Sequence, residues 1–352
     1  MPGLAAAAPS TPLTLRDAAA PSGVLMGAAA RAGEVLAGDP LKDSAYAAIL
    51  ASQYGMLSPE TALKWSVVHP ARDTYNFTYG DELVAFAAAH GMKVRGHTLV
   101  WADANPAWLT TLAQGASSAT MARILQDHIT TVMSHYRGKV FAWDVVNEAV
   151  RDGAGSTGTE LRDSIWFNQP GIGLSGTGYV EQAFRWAHDA DPDALLFYNE
   201  TGVESPGPKF DAMYNMLKDF VARRVPINGV GLQMHIQLTG EPTGDGLTTN
   251  IQRLAALGLQ VHVTEMDVRL PVDAEGHATA GALAAEAGRY QEILHACLAS
   301  PACKAFQTWG FTDRYSWIPD SFSGCGAALP FDAGYEAKPA VNVMINELAG
   351  QR

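Results

Sequence analysis

The sequence predicts an α/β chain folded as a single-domain (β/α)8 barrel, the TIM barrel, on three observations. Eight short apolar runs alternate with amphipathic helical stretches from end to end. No linker divides the chain. Almost every apolar run ends in polar residues or tryptophan, as barrel strands do where their C-terminal ends build an active site.

The candidate strands are Val24–Ala30, Tyr54–Ser58, Lys93–Trp101, Val140–Asn147, Ala194–Asn199, Gly229–His235, Leu259–Glu265 and Cys303–Phe311. The candidate helices are Ser44–Ser52, Asp81–His90, Thr120–Tyr136, Gly178–Ala190, Lys209–Arg224, Thr248–Leu257 and Ala282–Ala299. An open doubly wound sheet is the alternative arrangement. No Gly-x-Gly-x-x-Gly follows the first run, which disfavours a dinucleotide-binding version of it. The stretches Asp152–Thr159, Thr239–Gly246 and Trp317–Ala327 follow strand ends directly, so they read as active-site loops and not as domain boundaries.

At 352 residues, 47% of them hydrophobic, the chain is long enough for one large core. Its net charge of -12 argues against nucleic acid or an anionic membrane as partner and is neutral about a polysaccharide. No apolar run reaches the roughly 18 residues of a membrane span. The start, Met1–Ser10, lacks the basic and apolar regions of an intact signal peptide. It fits either the tail left by a trimmed signal or a disordered native start. Residues 1–13 are therefore expected to be a disordered tail, and 14–352 the catalytic (β/α)8 domain. Cys297 and Cys303 flank a helix end and a turn, and read as a small-loop disulfide or as two buried thiols. Cys325 has no evident partner.

Two glutamates carry most of the chemistry. Glu148 closes the run that begins at Val140, and Glu265 closes the run from Leu259. A carboxylate at the end of a buried strand costs solvation energy and rarely serves packing. Two of them suit cleavage of a glycosidic bond, where one acid protonates the leaving oxygen and one carboxylate meets the charge at the anomeric carbon. Asn147, beside Glu148, is placed to reach a sugar 2-hydroxyl. His235 ends the strand before Glu265 and Asp267. A histidine between two carboxylates donates to both and holds one ionised, which suits a nucleophile. Trp101, Trp309 and Trp317 offer apolar ring faces to sugars, whereas Trp65, Trp143, Trp166 and Trp186 read as packing residues. His97 alone reads as a core histidine, and Glu60 with Lys64 as part of the site or, as the lesser alternative, a mere ion pair. His97, His235 and His262 stand singly on their strands, so neither a catalytic metal nor another cofactor is expected. No Gly-x-Ser-x-Gly elbow supports a serine nucleophile.

At these residues the chain resembles glycoside hydrolase family 10, the retaining endo-β-1,4-xylanases. The matching strings are Lys93-Val-Arg-Gly-His97-Thr-Leu-Val-Trp101, Trp143-Asp-Val-Val-Asn147-Glu148, Gly231-Leu-Gln233-Met-His235, Val263-Thr-Glu265-Met-Asp267 and Trp309-Gly-Phe-Thr-Asp313-Arg-Tyr-Ser-Trp317. The resemblance implies Glu148 as acid/base and Glu265 as nucleophile. It implies that Asn147 and Gln233 contact the −1 sugar and the nucleophile, and that His235 orients Glu265 with Asp267 behind it. His97, Lys64, Trp101 and Trp309 would bind substrate around the −1 sugar, with Glu60 and Trp317 reaching towards −2 and −1. It also implies a Cys297–Cys303 disulfide and a secreted protein, expected as a monomer, acting on xylan or xylo-oligosaccharides. Retention implies carboxyl groups about 5–5.5 Å apart.

Three positions depart from the pattern. Thr61 stands where the family has the Asn of Glu-Asn-x-x-Lys. Ala102 and Ala104 stand where it has the His and Gln of Trp-His-x-Gln. Without two or three polar interactions with the sugar, each worth roughly 1 kcal/mol, glycone binding would weaken about ten- to a hundredfold. The alternatives are the same chemistry on a decorated xylan or another β-linked glycan, and a carbohydrate-binding protein without catalysis.

Overall fold

The computed structural model describes residues 13–33, 39–153, 160–167 and 177–350. Eight parallel strands form the barrel: β1 (Leu25–Ala30), β2 (Met56–Pro59), β3 (Lys93–Trp101), β4 (Ala142–Asn147), β5 (Leu195–Glu200), β6 (Gly229–Leu232), β7 (Gln260–Pro271) and β8 (Cys303–Thr308). Each pairs with the next, and β1 pairs with β8 to close the ring. The open doubly wound alternative is thereby excluded. The strands are covered by helices outside and by one another's side chains inside, so they read as unbroken apolar runs.

All seven expected helices are present. Ser118–Tyr136 buries Met121, Leu125, Ile129, Val132, Met133 and Tyr136 along one face, and Ser117 caps its start by accepting the Thr120 N–H. The helix that follows β8, Pro339–Leu348, was not among the expected ones. Nor was the short Leu15–Ala19, where Leu15 is fully buried and Arg16 donates to the carbonyls of His90 and Gly91. Of the expected tail, residues 1–12 lie outside the described residues, and Leu13 is exposed. Most of the expected loop Asp152–Thr159 also lies outside them.

Two strands end earlier than the apolar pattern suggested, β8 at Thr308 where Phe311 was expected, and β6. β6 stops at Leu232, and Met234 takes a left-handed backbone, φ 70°. The chain then re-enters as His235–Gln237, which pairs with the extension of β7 and sets His235 opposite Asp267. The break re-aims His235 towards the mouth of the barrel. Cys297 and Cys303 form a disulfide at the foot of β8, whereas Cys325 is free. No helix among the described residues is long and apolar enough to cross a membrane.

Two of the buried charge clusters bear on the fold. Inside the barrel Arg95 is fully buried; it makes a two-pronged pair with Asp144, meets His262 Nδ1 at 2.7 Å and stacks on Phe197. Outside it, Lys338 donates to Glu286 (2.8 Å), Asp313 (3.2 Å) and the Ala327 carbonyl (2.6 Å). Burial pushes Glu286 up to about 8 despite Lys338, and its second oxygen is buried without a partner. A carboxyl raised on folding contributes stability that is present below its unfolded value, near 4.5, and is lost as pH rises through 8. At about 1.4 kcal/mol per pH unit, the loss is roughly a few kcal/mol. Glu286→Gln is therefore expected to gain melting temperature relative to the parent as pH climbs from 4.5 to 8. A Tm difference that stays flat over that range would refute it.

Candidate active site

The residues singled out above meet at the C-terminal mouth of the barrel, where Glu148 and Glu265 follow β4 and lie within β7. The two carboxylates have different surroundings. Glu265 is 4% exposed; its Oε1 accepts from Asn199 Nδ2 at 2.7 Å and its Oε2 from His235 Nε2 at 3.1 Å. His235 Nδ1 donates to Asp267 at 2.8 Å, and the same Asp267 oxygen accepts from Trp317 Nε1 at 2.8 Å. Burial pulls His235 down, but Asp267 and then Glu265 outweigh it and push it up to about 10. An imidazolium is thus clamped between two carboxylates. Burial pushes Glu265 up, but the His235 hydrogen bond, helped by His97, overcomes it and holds Glu265 below the usual carboxylate range.

Glu148 is more open, with four donors around it. Its Oε1 accepts from Gln233 Nε2 (2.8 Å) and Asn147 Nδ2 (3.1 Å), and its Oε2 from Trp101 Nε1 and Arg162, both at 3.1 Å. Lys64 Nζ lies 5.3 Å from the Trp101 ring and 5.8 Å from Trp309. Trp309 stands edge-on to His97 and to His235, and Trp317 edge-on to His235. These rings gather beside the two carboxylates, and polar groups with apolar ring faces are what a sugar chain needs.

Several partners differ from expectation. Asn147 and Gln233 bond to Glu148, not to Glu265; the amide on Glu265 is Asn199, which also donates to Asn147 Oδ1 at 2.8 Å. Thr264 Oγ1 donates to Asn199 Oδ1 at 2.7 Å and fixes it, and Gly231 makes room, since a Cβ there would sit 2.0 Å from that oxygen. Glu60 pairs through two bonds with Arg31 at the end of β1, not with Lys64. His97 is buried and bonded to Asp144 at 3.0 Å, with its ring T-shaped to Trp309. Of the four packing tryptophans, Trp65, Trp143 and Trp166 are buried, and Trp166 also donates to the Trp101 carbonyl. Where the loop after β3 departs from the resembled pattern, Ala102 and Ala104 present only methyl groups, and Asp103 pairs with Arg162 at 3.2 Å.

A third acid invites the same reading. Burial pushes Glu200, at the end of β5, up to about 7 against the pull of Lys209 and the Tyr198 hydroxyl. That is a value wanted in a general acid. Yet Glu200 is fully buried, and its oxygens are taken by Tyr198, Lys209 and the N–H groups of Val150 and Thr201, so no substrate atom reaches it.

The family model for glycosyl hydrolase family 10 matches residues 14–347. The chain belongs to this family. Among its family 10 relatives, endo-1,4-beta-xylanase B of Thermotoga neapolitana is 42% identical over 310 residues, covering 87% of this chain and 85% of the relative. Endo-1,4-beta-xylanase C of Phanerodontia chrysosporium is 36% identical, covering 86% and 72%. Among solved structures, xylanase 10B of Thermotoga petrophila in complex with xylobiose superposes with a TM-score of 0.88 at 39% identity, over 97% of this chain and 98% of that one. Native xylanase 10B of Thermotoga maritima gives 0.87 at 40% identity, over 96% and 98%. As a member of family 10 the chain is a glycoside hydrolase. Asn199 and Arg162 are the residues of this family 10 cleft that sequence reading did not assign. Asn199 is visible as a polar strand end. Arg162 lies in a loop 14 residues beyond Glu148, with no local signal.

Proposed function

We propose that this chain is a retaining endo-β-1,4-xylanase in which Glu265 is the nucleophile and Glu148 the acid/base. The observation that carries the division of labour is the His235 imidazolium held between Asp267 and Glu265. It keeps Glu265 ionised and fixed, ready to attack the anomeric carbon. Glu148 then gives its proton to the departing glycosidic oxygen, and a xylosyl–Glu265 ester forms. In the second step Glu148 takes a proton from water, which attacks the same carbon and releases Glu265. Asn147 and Gln233 steer Glu148 through both steps, and Lys64, Trp101, Trp309 and Trp317 hold the sugars. The xylanase relatives and the xylobiose complex support xylo-oligosaccharide as substrate. The disulfide supports secretion, since such bonds persist outside reducing compartments. Residues 14–352 form the catalytic unit, and the working form is a monomer.

The methyl groups of Ala102 and Ala104, with Asp103 drawn to Arg162, favour a second substrate within the same chemistry, a decorated xylan or another β-linked glycan. Proton NMR of xylotetraose hydrolysis tests the mechanism: the β anomer is expected to appear first, and an initial α anomer would overturn it. Product profiles on xylan, arabinoxylan and β-glucan test the substrate: internal cuts in xylan are expected, and faster cleavage of β-glucan would replace xylan.

A further inference from the structure

Glu148 sits on a turn that its own sequence does not favour. It is not glycine, yet its φ is 52°, a left-handed conformation that is strained for a residue with a Cβ and persists only where neighbours impose it. The partners of the three N–H groups at the turn are all on β5. The Glu148 N–H donates to the Asn199 carbonyl at 2.9 Å. The next two N–H groups, of Ala149 and Val150, both donate to the Tyr198 hydroxyl, at 3.0 and 3.1 Å. Val150 N–H also reaches Glu200 Oε2 at 3.1 Å.

A phenol oxygen accepts two amides only if its own proton points elsewhere. Here the Tyr198 proton goes to Glu200 Oε2 at 2.5 Å. Lys209, reaching in from helix Pro208–Ala222, stands 3.2 Å from the other Glu200 oxygen and 2.7 Å from Asp152. Tyr198 and Glu200 are completely buried. The alternation of β5 divides its labour: Asn199 serves the Glu265 side chain on one face, and Tyr198 and Glu200 hold the Glu148 backbone from the other. The backbone beyond the turn carries Arg162, whose N–H bonds to the Ala149 carbonyl at 2.7 Å and whose guanidinium touches Glu148.

We propose that Tyr198, Glu200 and Lys209 are positioning residues that lock the left-handed turn at Glu148 and so aim its carboxyl at the glycosidic oxygen. The proposal rests on the reading of Glu148 as acid/base. Its signature is a dependence on how much help the leaving group needs, because a misaimed acid slows only bonds that need a proton.

The test compares kcat/KM for phenyl and 2,4-dinitrophenyl β-xylobioside, normalised to active enzyme by burst titration so that poor folding does not intrude. In Tyr198→Phe, which removes the acceptor of Ala149 N–H, the ratio of the two constants is expected to shift about 10- to 100-fold against the phenyl substrate. Lys209→Gln, which leaves Tyr198 and Glu200 in place, is expected to shift it in the same direction by about 3- to 10-fold. Equal losses on both substrates in both variants mean a purely structural role and overturn the proposal. Glu148→Ala serves as control. If it too shows no leaving-group dependence, the acid/base reading itself fails; if it does and the β5 variants do not, only the positioning role fails.

Discussion

Glu265→Ala is expected to lose at least about 10⁴-fold in kcat on xylan and on activated aryl xylobiosides alike. The loss spans both substrates because the missing group forms the covalent bond itself, so a better leaving group gives no relief. The substitution also leaves Asn199 Nδ2 and His235 Nε2 without their buried acceptor. Breaking a buried charge pair costs about 3–5 kcal/mol, which lowers the Tm as well. Glu265→Gln keeps an acceptor for Asn199, so it separates the two effects: Tm recovers in part while kcat does not. Azide added to Glu265→Ala enters from the vacated face and displaces the leaving group once, giving an α-xylobiosyl azide. Near-normal hydrolysis by the alanine variant, or a β azide, would rule Glu265 out as nucleophile.

Much of this was legible in the sequence, for physical reasons that differ by element. The barrel strands stand out because burial on both faces makes them continuous apolar runs, and Glu148, Glu265, His235 and Asp267 stand out because such runs rarely end in costly polar groups. What escaped depends on register and on backbone conformation. The end of β6 was misplaced because Met234 is as apolar as a strand residue, while its left-handed φ leaves no mark in the apolar pattern. The partner of Glu60 is Arg31 because β1 and β2 pair Ala30 with Pro59, a register that spacing along the chain does not reveal. Asn199 reaches Glu265 across β6, and only because Gly231 leaves the space. Residues that belong to one strand could be read from it; of these partnerships across strands, the one between His235 and the carboxylates of Glu265 and Asp267 could be read as well, because all three are costly polar groups at neighbouring strand ends.

Glu148→Ala is expected to split its effects in the opposite way to Glu265→Ala. With a xylan or xylotetraose leaving group, whose oxygen departs as a poor anion, kcat/KM should fall about 10²- to 10⁴-fold, the usual worth of general acid catalysis. With 2,4-dinitrophenyl β-xylobioside the first step needs no proton, so kcat/KM should stay within about tenfold of the parent. Its kcat should still collapse, because Glu148 also activates water in the second step, and the xylobiosyl–Glu265 ester then accumulates. That ester is open to a nucleophile that needs no base. Azide should therefore restore kcat and yield the β azide, two displacements giving net retention where Glu265→Ala gives one. The substitution strips the shared acceptor from Gln233, Trp101, Asn147 and Arg162, but the site is partly open to water, so the Tm cost should be smaller than at Glu265. Equal losses on good and poor leaving groups, with no response to azide, would mean that Glu148 does not move the proton. The four donors gathered on it would then serve the fold and not the reaction.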